Sequence, residues 1–367
     1  MNPRERLLTT LRGGTADRVP LILHGLQHVQ LDEIKEPAKH EIVERVIDQM
    51  HFVWNVPSYV NRYLVTPPQR IAEVDRQSAD GDVTITCAID TPRGKLTAVT
   101  GENAISQTTW TIKYPVETLD DIEKIRCVPW ELPAALKSAD LSKLPPEFEQ
   151  RGILCTHISS PFVCVAGMMS YERFWELCTT HFGFIKELTE QCCDRIADVL
   201  DVLLADRRIE YVWIGGCEWL TPPMGSPRLY EELVQPYEKK LIERIHAGGA
   251  LAHVHCHGNV RSTIERVIER GADFFEPVEP PPDGEITMAE AKSIVNGRMT
   301  LGGNVECRVL ENESVDEVER AARAAFEGGK ERMVFATGAG PISAFTPRMS
   351  ENYGRVIDVW ERLSPIP

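Results

Sequence analysis

The sequence predicts an α/β protein, a (β/α)8 TIM-like barrel in one domain over residues 1–367, with a small antiparallel insertion in its N-terminal half. The first observation is that the C-terminal half alternates short apolar strands with amphipathic helices in five consecutive units, which is typical of a parallel sheet. The second is that no glycine-rich dinucleotide fingerprint accompanies these units, which favours a closed barrel over a doubly wound sheet.

The N-terminal half supplies the remaining strands and the insertion. Barrel strands are predicted at 19–23, 52–54 and 153–157, each a short apolar run. The sequence pattern changes over about residues 80–115, where runs of alternating apolar and polar residues at 83–86 and 95–99 flank Thr91-Pro92-Arg93-Gly94. This pattern predicts a small antiparallel excursion inserted after an early barrel strand.

The C-terminal units have recognisable helix boundaries. Strands are predicted at 211–215, at the histidine-rich run ending near 257, and at 273–275, 300–303 and 333–337. Asn259 is a helix N-cap candidate, Ser314 has capping-box spacing to Glu317, and Gly271 ends a helix. The last helix carries its apolar face between Met349 and Leu363.

Composition excludes several classes of function. Forty Lys and Arg against fifty-five Asp and Glu give a net charge of -15 with no basic cluster, so nucleic acid is not an expected partner. No segment approaches the roughly 20 apolar residues of a membrane span, and the N-terminus does not resemble a signal peptide. We therefore expect a cytoplasmic protein whose ten cysteines, without a CxxC, are mostly buried thiols.

Three histidines on alternate residues are the most informative motif. His253, His255 and His257 end an apolar run, and the period of a strand places all three rings on one face with Cys256 on the other. Such a face suits metal ligation, because imidazole is the commonest metal ligand among side chains. A polar strand end with hydrogen-bonded histidines would look the same, and the pattern leaves both interpretations open.

Barrel enzymes carry their chemistry at the C-terminal ends of the strands, and the candidate residues come from those positions. Glu276 and Glu279 follow one strand, and Glu279 precedes three prolines that stiffen its loop. The predicted catalytic residues are His255, His257, Glu279 and His24, and the predicted substrate-binding residues are Trp110, His157, Asn304 and Thr337. The predicted metal ligands are His255, His257 and Glu218, a two-histidine, one-carboxylate set of the kind that catalytic zinc uses. Cys307 is expected to be a loop thiol and Cys256 a core thiol, with a ligand role open for both.

Several short segments, in order, resemble the uroporphyrinogen decarboxylase superfamily over nearly the whole chain. They are Pro3-Arg4-Glu5-Arg6, Asp17-Arg18-Val19-Pro20, Asp90-Thr91-Pro92-Arg93-Gly94, Trp110 with Tyr114-Pro115-Val116-Glu117, Gly258-Asn259-Val260 and Gly303-Asn304-Val305. The resemblance implies a (β/α)8 barrel, in agreement with the alternation of strands and helices.

The chain departs from both main branches of that superfamily. True uroporphyrinogen decarboxylases bind the substrate carboxylates with an arginine-rich N-terminal segment, and residues 21–28 here contain no arginine, so decarboxylation of that anionic substrate is not expected. Corrinoid-linked methyltransferases carry a His-x-Cys-Gly zinc motif and a second cysteine in a late glycine-rich loop. Here His255 matches, His257 replaces the cysteine, and the loop at 337–340 has no thiol. Losing both thiolates weakens the case for coenzyme M as acceptor.

The resemblance to the corrinoid-linked branch nevertheless implies a methyltransferase, with zinc acting as a Lewis acid on a small substrate such as an aryl methyl ether. The corrinoid would reside on a partner protein, since this chain has no Asp-x-His-x-x-Gly signature. One alternative is a decarboxylase or lyase that uses histidines as proton donors and Arg308 or Arg348 to hold a small carboxylic acid. Another is an inactive ligand-binding barrel. The resemblance also implies a homodimer.

Overall fold

The structure is a computed structural model that describes residues 1–103 and 109–367. The described residues form twelve strands: β1 (Leu21–Ile22), β2 (Phe52–Asn55), β3 (Ile71–Ala79), β4 (Asp82–Thr91), β5 (Gly94–Asn103), β6 (Thr109–Lys113), β7 (Gly152–Ser159), β8 (Tyr211–Gly215), β9 (Leu251–His255), β10 (Phe274–Glu276), β11 (Thr300–Val305) and β12 (Met333–Thr337).

The same residues form fourteen α-helices, most of them lying between barrel strands. They are α1 (Pro3–Leu11), α2 (Pro37–Val46), α3 (Leu119–Arg126), α4 (Phe148–Arg151), α5 (Pro161–Ala166), α6 (Tyr171–Thr180), α7 (Phe182–Leu204), α8 (Pro227–Leu233), α9 (Gln235–Ala247), α10 (Ile264–Glu269), α11 (Met288–Val295), α12 (Cys307–Asn312), α13 (Val315–Ala324) and α14 (Pro347–Leu363). Three short 3-10 turns lie at Leu31–Glu33, Pro68–Arg70 and Cys217–Leu220. Within the described ranges, no helix is both long enough and apolar enough to cross a bilayer.

Eight parallel strands form the barrel, in the order β1-β12-β11-β10-β9-β8-β7-β2. A parallel bridge between Leu21 and Met50 joins the two ends of this order. The predicted TIM-like fold is therefore confirmed. The first strand is shorter than predicted, because Pro20 has no N–H to donate and Val19 donates to the carbonyl of Ser364 instead.

The insertion is a separate four-stranded antiparallel sheet, β3-β4-β5-β6, between β2 and β7. The β4–β5 hairpin turns at Thr91 and Gly94, as the sequence predicted. The sheet begins at Ile71, earlier than the predicted residue 80, because β3 is almost wholly exposed and carries no apolar face for a pattern to detect. Residues 104–108 of the predicted excursion lie outside the described residues.

The N-terminal helix α1 fills the bottom of the barrel. Its Leu7, Leu8 and Leu11 pack in one cluster with the inward residues Ile22 and Tyr211. Filling the bottom with side chains leaves the C-terminal mouth as the place for a site, as in other barrels of this kind.

Candidate active site

Pairs of residues two apart on successive strands face the barrel interior and line a cavity of about 330 Å³. The inner positions are Ile22, Val53, Cys155, Tyr211 and His253, and the positions one pleat nearer the mouth are His24, Asn55, His157, Trp213 and His255. Glu276, Gln27 and His51 complete the lining. The period of two along each strand therefore brings five imidazoles and one carboxylate into one small space.

Glu276 is the centre of this cavity. It ends β10, is 1% exposed, and its side chain has room because the neighbouring β11 carries glycine at position 302. His255 donates from Nδ1 to Oε1 at 2.7 Å, and His24 donates from Nε2 to Oε2 at 3.3 Å. Nε2 of His253 lies 3.2 Å from the same Oε1. One buried carboxylate thus organises three imidazoles.

The electrostatics keep this carboxylate ionised and the deep imidazoles neutral. Burial would raise the pKa of Glu276, but the imidazoles of His24 and His255 outweigh it and hold the pKa well below its ordinary value. Burial lowers the pKa of His253 to about 4 and that of His51 to about 3. Neutral imidazole and ionised carboxylate are the forms that bind metal ions.

The side chains of His253, His255 and Glu276 fit a zinc ion. Their donor atoms all lie within 4.8 Å of one another, and two histidines with one glutamate form a common ligand set of catalytic zinc. Nε2 of His253 is buried, and its 3.2 Å contact with Oε1 of Glu276 does not have the geometry of a hydrogen bond. Nδ1 of the same ring shares a hydrogen bond with the Tyr211 hydroxyl, and this contact fixes the orientation of the ring.

A second imidazole–carboxylate pair lies just past the end of β9. His257 donates from Nδ1 to Oε1 of Glu279 at 2.7 Å, and the backbone N–H of Gly258 donates to the other carboxylate oxygen. Burial lowers the pKa of His257, but the Glu279 carboxylate outweighs it and the net pKa lies above its ordinary value. Nearby, burial and the Glu279 charge raise the pKa of Glu306 to about 7.

The structure brings some of the predicted residues together and separates others. His24, His157 and His255 line the cavity, and His157 stacks on Trp213 with ring centroids 5.1 Å apart. Thr337 is fully buried and accepts a hydrogen bond from the backbone N–H of His24 at 2.9 Å, so its side chain supports the cavity wall.

Two further predicted substrate-binding residues lie away from the cavity lining. Asn304 is buried and donates from Nδ2 to Oε1 of Glu306 at 3.0 Å. Trp110 lies on β6 of the antiparallel sheet, 41% exposed, with its ring against Gly101. The strand pairing of the insertion directs this ring along its own sheet.

Of the predicted metal set, only His255 belongs to the donor group that it forms with His253 and Glu276. Glu218 lies in the 3-10 turn after β8, and its carboxylate groups with the thiols of Cys217 and Cys256, not with the rings of His255 and His257. Cys256 is fully buried, as expected of a core thiol. Cys307 is corrected from a loop thiol to the buried first residue of α12, where its thiol donates to the carbonyl of Gly340 at 3.2 Å.

Sequence reasoning did not select several residues that the cavity brings together. His51, Tyr211 and Trp213 were not among the candidates, whereas His253 and Glu276 were candidates that received no specific role. The signal was present for most of them, since each barrel strand carries its inward residues at a spacing of two. His51 has the same spacing to Val53 and Asn55, but it precedes the apolar run from which the strand was predicted.

Comparison with known proteins identifies the family. Residues 104–361 match the family model described as uroporphyrinogen decarboxylase (URO-D), and the chain belongs to this family. No curated protein matches the sequence.

Solved structures are similar in fold. A methyltransferase from Methanosarcina mazei superposes with a TM-score of 0.61, at 13% identity over 99% of each chain. A B12-independent methionine synthase from Shewanella sp. W3-18-1 gives a TM-score of 0.43 at 8% identity, covering 80% of this chain and 75% of its own. The first likeness establishes a shared fold, and the second is too distant to support an argument.

Proposed function

We propose that the protein is a methyltransferase that moves a methyl group from a small, uncharged aryl methyl ether to a corrinoid carried by a partner protein. The observation that carries the proposal is the histidine-lined cavity around Glu276. A cavity of about 330 Å³ is at the lower end of ligand sites and suits a single-ring substrate. The stacked rings of His157 and Trp213 offer a flat wall against which such a ring would lie.

The charge of the cavity favours an uncharged substrate over a carboxylic acid. Its lining contains no lysine or arginine among the described residues. Arg308 is engaged by Asp283 at 2.9 Å, and Arg348 donates to the carbonyl of Asn312 at 3.0 Å. The two arginines that a lyase would need are therefore committed elsewhere, which argues against the decarboxylase alternative.

His253, His255 and Glu276 would hold zinc in place of the predicted set with Glu218. When bound, zinc supplies a Lewis acid that polarises a substrate oxygen. The protein itself then has three tasks. Glu276 fixes the orientation of the surrounding imidazoles, His24 donates to the carboxylate from the opposite side, and the rings of His157 and Trp213 exclude water from the substrate.

In this proposal, His257 donates the proton that the leaving oxygen needs. As the methyl–oxygen bond breaks, both bonding electrons remain on the aryl oxygen, and the methyl group passes to the corrinoid acceptor. The oxygen then needs a proton, and His257 would donate it, because its ring centroid lies 4.6 Å from that of His255 and its pKa is raised by Glu279. Glu279 keeps that ring oriented, so its part is positioning. The corrinoid partner and the homodimer remain predictions.

The test is methyl transfer from guaiacol to free cob(I)alamin, followed by the absorbance of methylcobalamin, beside elemental analysis of bound zinc. We expect His255→Ala to contain about one equivalent of zinc per chain less than the wild type, the ion that the histidine site holds. Glu276→Gln should weaken zinc binding about 10–100-fold, because it removes the charge that organises the imidazoles. Trp110→Ala is the matched control and should retain both zinc and activity.

The results separate the alternatives. No transfer from guaiacol or related neutral ethers, together with tight binding and no turnover, would favour a ligand-binding barrel. Equal activity in wild type and His255→Ala would exclude the proposed site.

A further inference from the structure

A second group of metal-binding side chains lies outside the lining of the cavity. Cys217, Glu218 and Cys256 each offer one donor atom, and these three atoms lie within 4.8 Å of one another. Across residues 1–103 and 109–367, the only other group with this property is the one formed by His253, His255 and Glu276. The proposed methyl transfer makes no use of the two thiols.

The ends of two paired strands bring these residues together. β8 and β9 run side by side with Ile214 opposite Val254, so the residues that follow each strand emerge as neighbours. Gly216 then turns with a φ of +103°, and a Cβ there would approach Cγ2 of Val163 to 2.6 Å. This tight turn sends the chain directly into the 3-10 turn that carries Cys217 and Glu218.

The donor atoms are poorly satisfied by the protein. The Cys217 and Cys256 thiols contact each other, and they reach the backbone carbonyls of His255 and His257 only at a long 3.8 Å in each case. Oε2 of Glu218 is buried and has no hydrogen-bond partner among the described residues. Burying a carboxylate oxygen without a partner is costly, and a bound cation would remove that cost.

Another pair of buried thiols has no carboxylate beside it and serves as a comparison for the proposed metal site. Cys164 and Cys192 also contact each other, but the structure places no carboxylate in a group with them across the described ranges. The Cys164 thiol is already engaged, since it donates to the carbonyl of Val60 at 3.2 Å. This pair provides a matched control.

We propose that Cys217, Glu218 and Cys256 bind a thiophilic divalent cation, zinc by the chemistry of the donors, as a second metal centre of the protein. Two thiolates and a carboxylate form a zinc ligand set with a fourth position for water. Two sulfurs bound to tetrahedral zinc at about 2.3 Å lie roughly 3.8 Å apart, so small shifts of the side chains would complete the site. Binding releases both thiol protons to solvent.

The test titrates Co²⁺ into reduced protein from which bound metal has been removed, with no methyl donor or acceptor present. Cobalt bound by thiolate gives a sulfur-to-metal charge-transfer absorbance that imidazole and carboxylate ligands do not give. We expect this band at about one equivalent in the wild type, and equally in His255→Ala and in the Cys164→Ser control. It should disappear in Cys217→Ser and in Cys256→Ser.

Glu218→Gln tests the site without altering either thiol. We expect it to keep the band but to weaken cobalt binding by more than about tenfold, the scale on which the loss of supporting ligand groups is felt. No charge-transfer band in the wild type, or a band that survives Cys217→Ser, would overturn the proposal. Loss of the band in His255→Ala would also overturn it, since the metal would then belong to the histidine site. Failure of the methyl-transfer proposal leaves this result unaffected.

Discussion

The buried imidazole of His51 should make folding sensitive to mild acid. The ring is 4% exposed, accepts a hydrogen bond at Nε2 from the Gln27 amide at 3.1 Å, and burial lowers its pKa from 6.5 to about 3. Between these two values the unfolded chain binds a proton that the folded chain does not. Protonation therefore favours the unfolded chain, and the free energy of unfolding falls as the pH drops below 6.5.

The magnitude follows from the shift. At 1.36 kcal/mol per pKa unit, a drop from pH 7 to pH 5 costs about 2 kcal/mol through His51 alone. His51→Gln keeps an acceptor for Gln27 and removes the titration. Urea unfolding of both proteins at pH 7 and pH 5 should show the wild type losing about 2 kcal/mol more than the variant.

A control residue should behave in the opposite sense. His246 is 41% exposed at its side chain and its Nε2 donates to Asp273 at 2.8 Å, which raises its pKa. The protonated ring stabilises the folded state in full below the pKa of the unfolded chain, and this stabilisation is lost as the pH rises through the pKa of the folded chain. The wild type therefore gains this stabilisation on acidification and His246→Gln does not, so the variant should lose more stability than the wild type between pH 7 and pH 5. Equal pH dependence in wild type and His51→Gln would refute the assignment of a buried neutral imidazole.

Three further outcomes are expected. Thr337→Val should lower the free energy of unfolding by about 1–3 kcal/mol in urea melts, because it leaves the backbone N–H of His24 without its acceptor. Glu238→Ala should lower the free energy of unfolding by about 3–5 kcal/mol in the same assay, because it leaves the fully buried Arg270, which pairs with Glu238 at 2.9 Å, without a counter-charge. Stability within about 1 kcal/mol of wild type would argue against a charged pair. Trp110→Ala should leave kcat/KM for methyl transfer unchanged, because the ring lies on the antiparallel sheet.

The histidine motif shows which side-chain positions of the site the local sequence pattern predicts. Alternation along β9 places His253 and His255 on the inner face and Cys256 in the core, as the period of two requires. The strand ends at His255, so His257 no longer follows that period strictly and turns to Glu279 instead. The alternation of faces therefore predicts the direction of a side chain only within the strand itself.

The choice of carboxylate lay beyond any pattern. Glu218, Glu276 and Glu279 all follow barrel strands, and the sequence gives no reason to prefer one as the partner of the imidazoles. The parallel register of β9 with β10 sets Glu276 beside His255, while the left-handed turn at Gly216 carries Glu218 to the thiols. Strand order and turn geometry decided between them.

The sequence by itself determined the barrel, the hairpin at Thr91–Gly94 and the concentration of histidines at the C-terminal ends of the strands. These features depend on periodicity and turn residues, which act over a few positions along the chain. The tertiary structure alone decided which side chains share the cavity, that Trp110 lies outside it, and that Cys217 lies near Cys256. Those contacts join residues far apart in the chain, and they exist only once the eight strands have closed into a ring and fixed their mutual register.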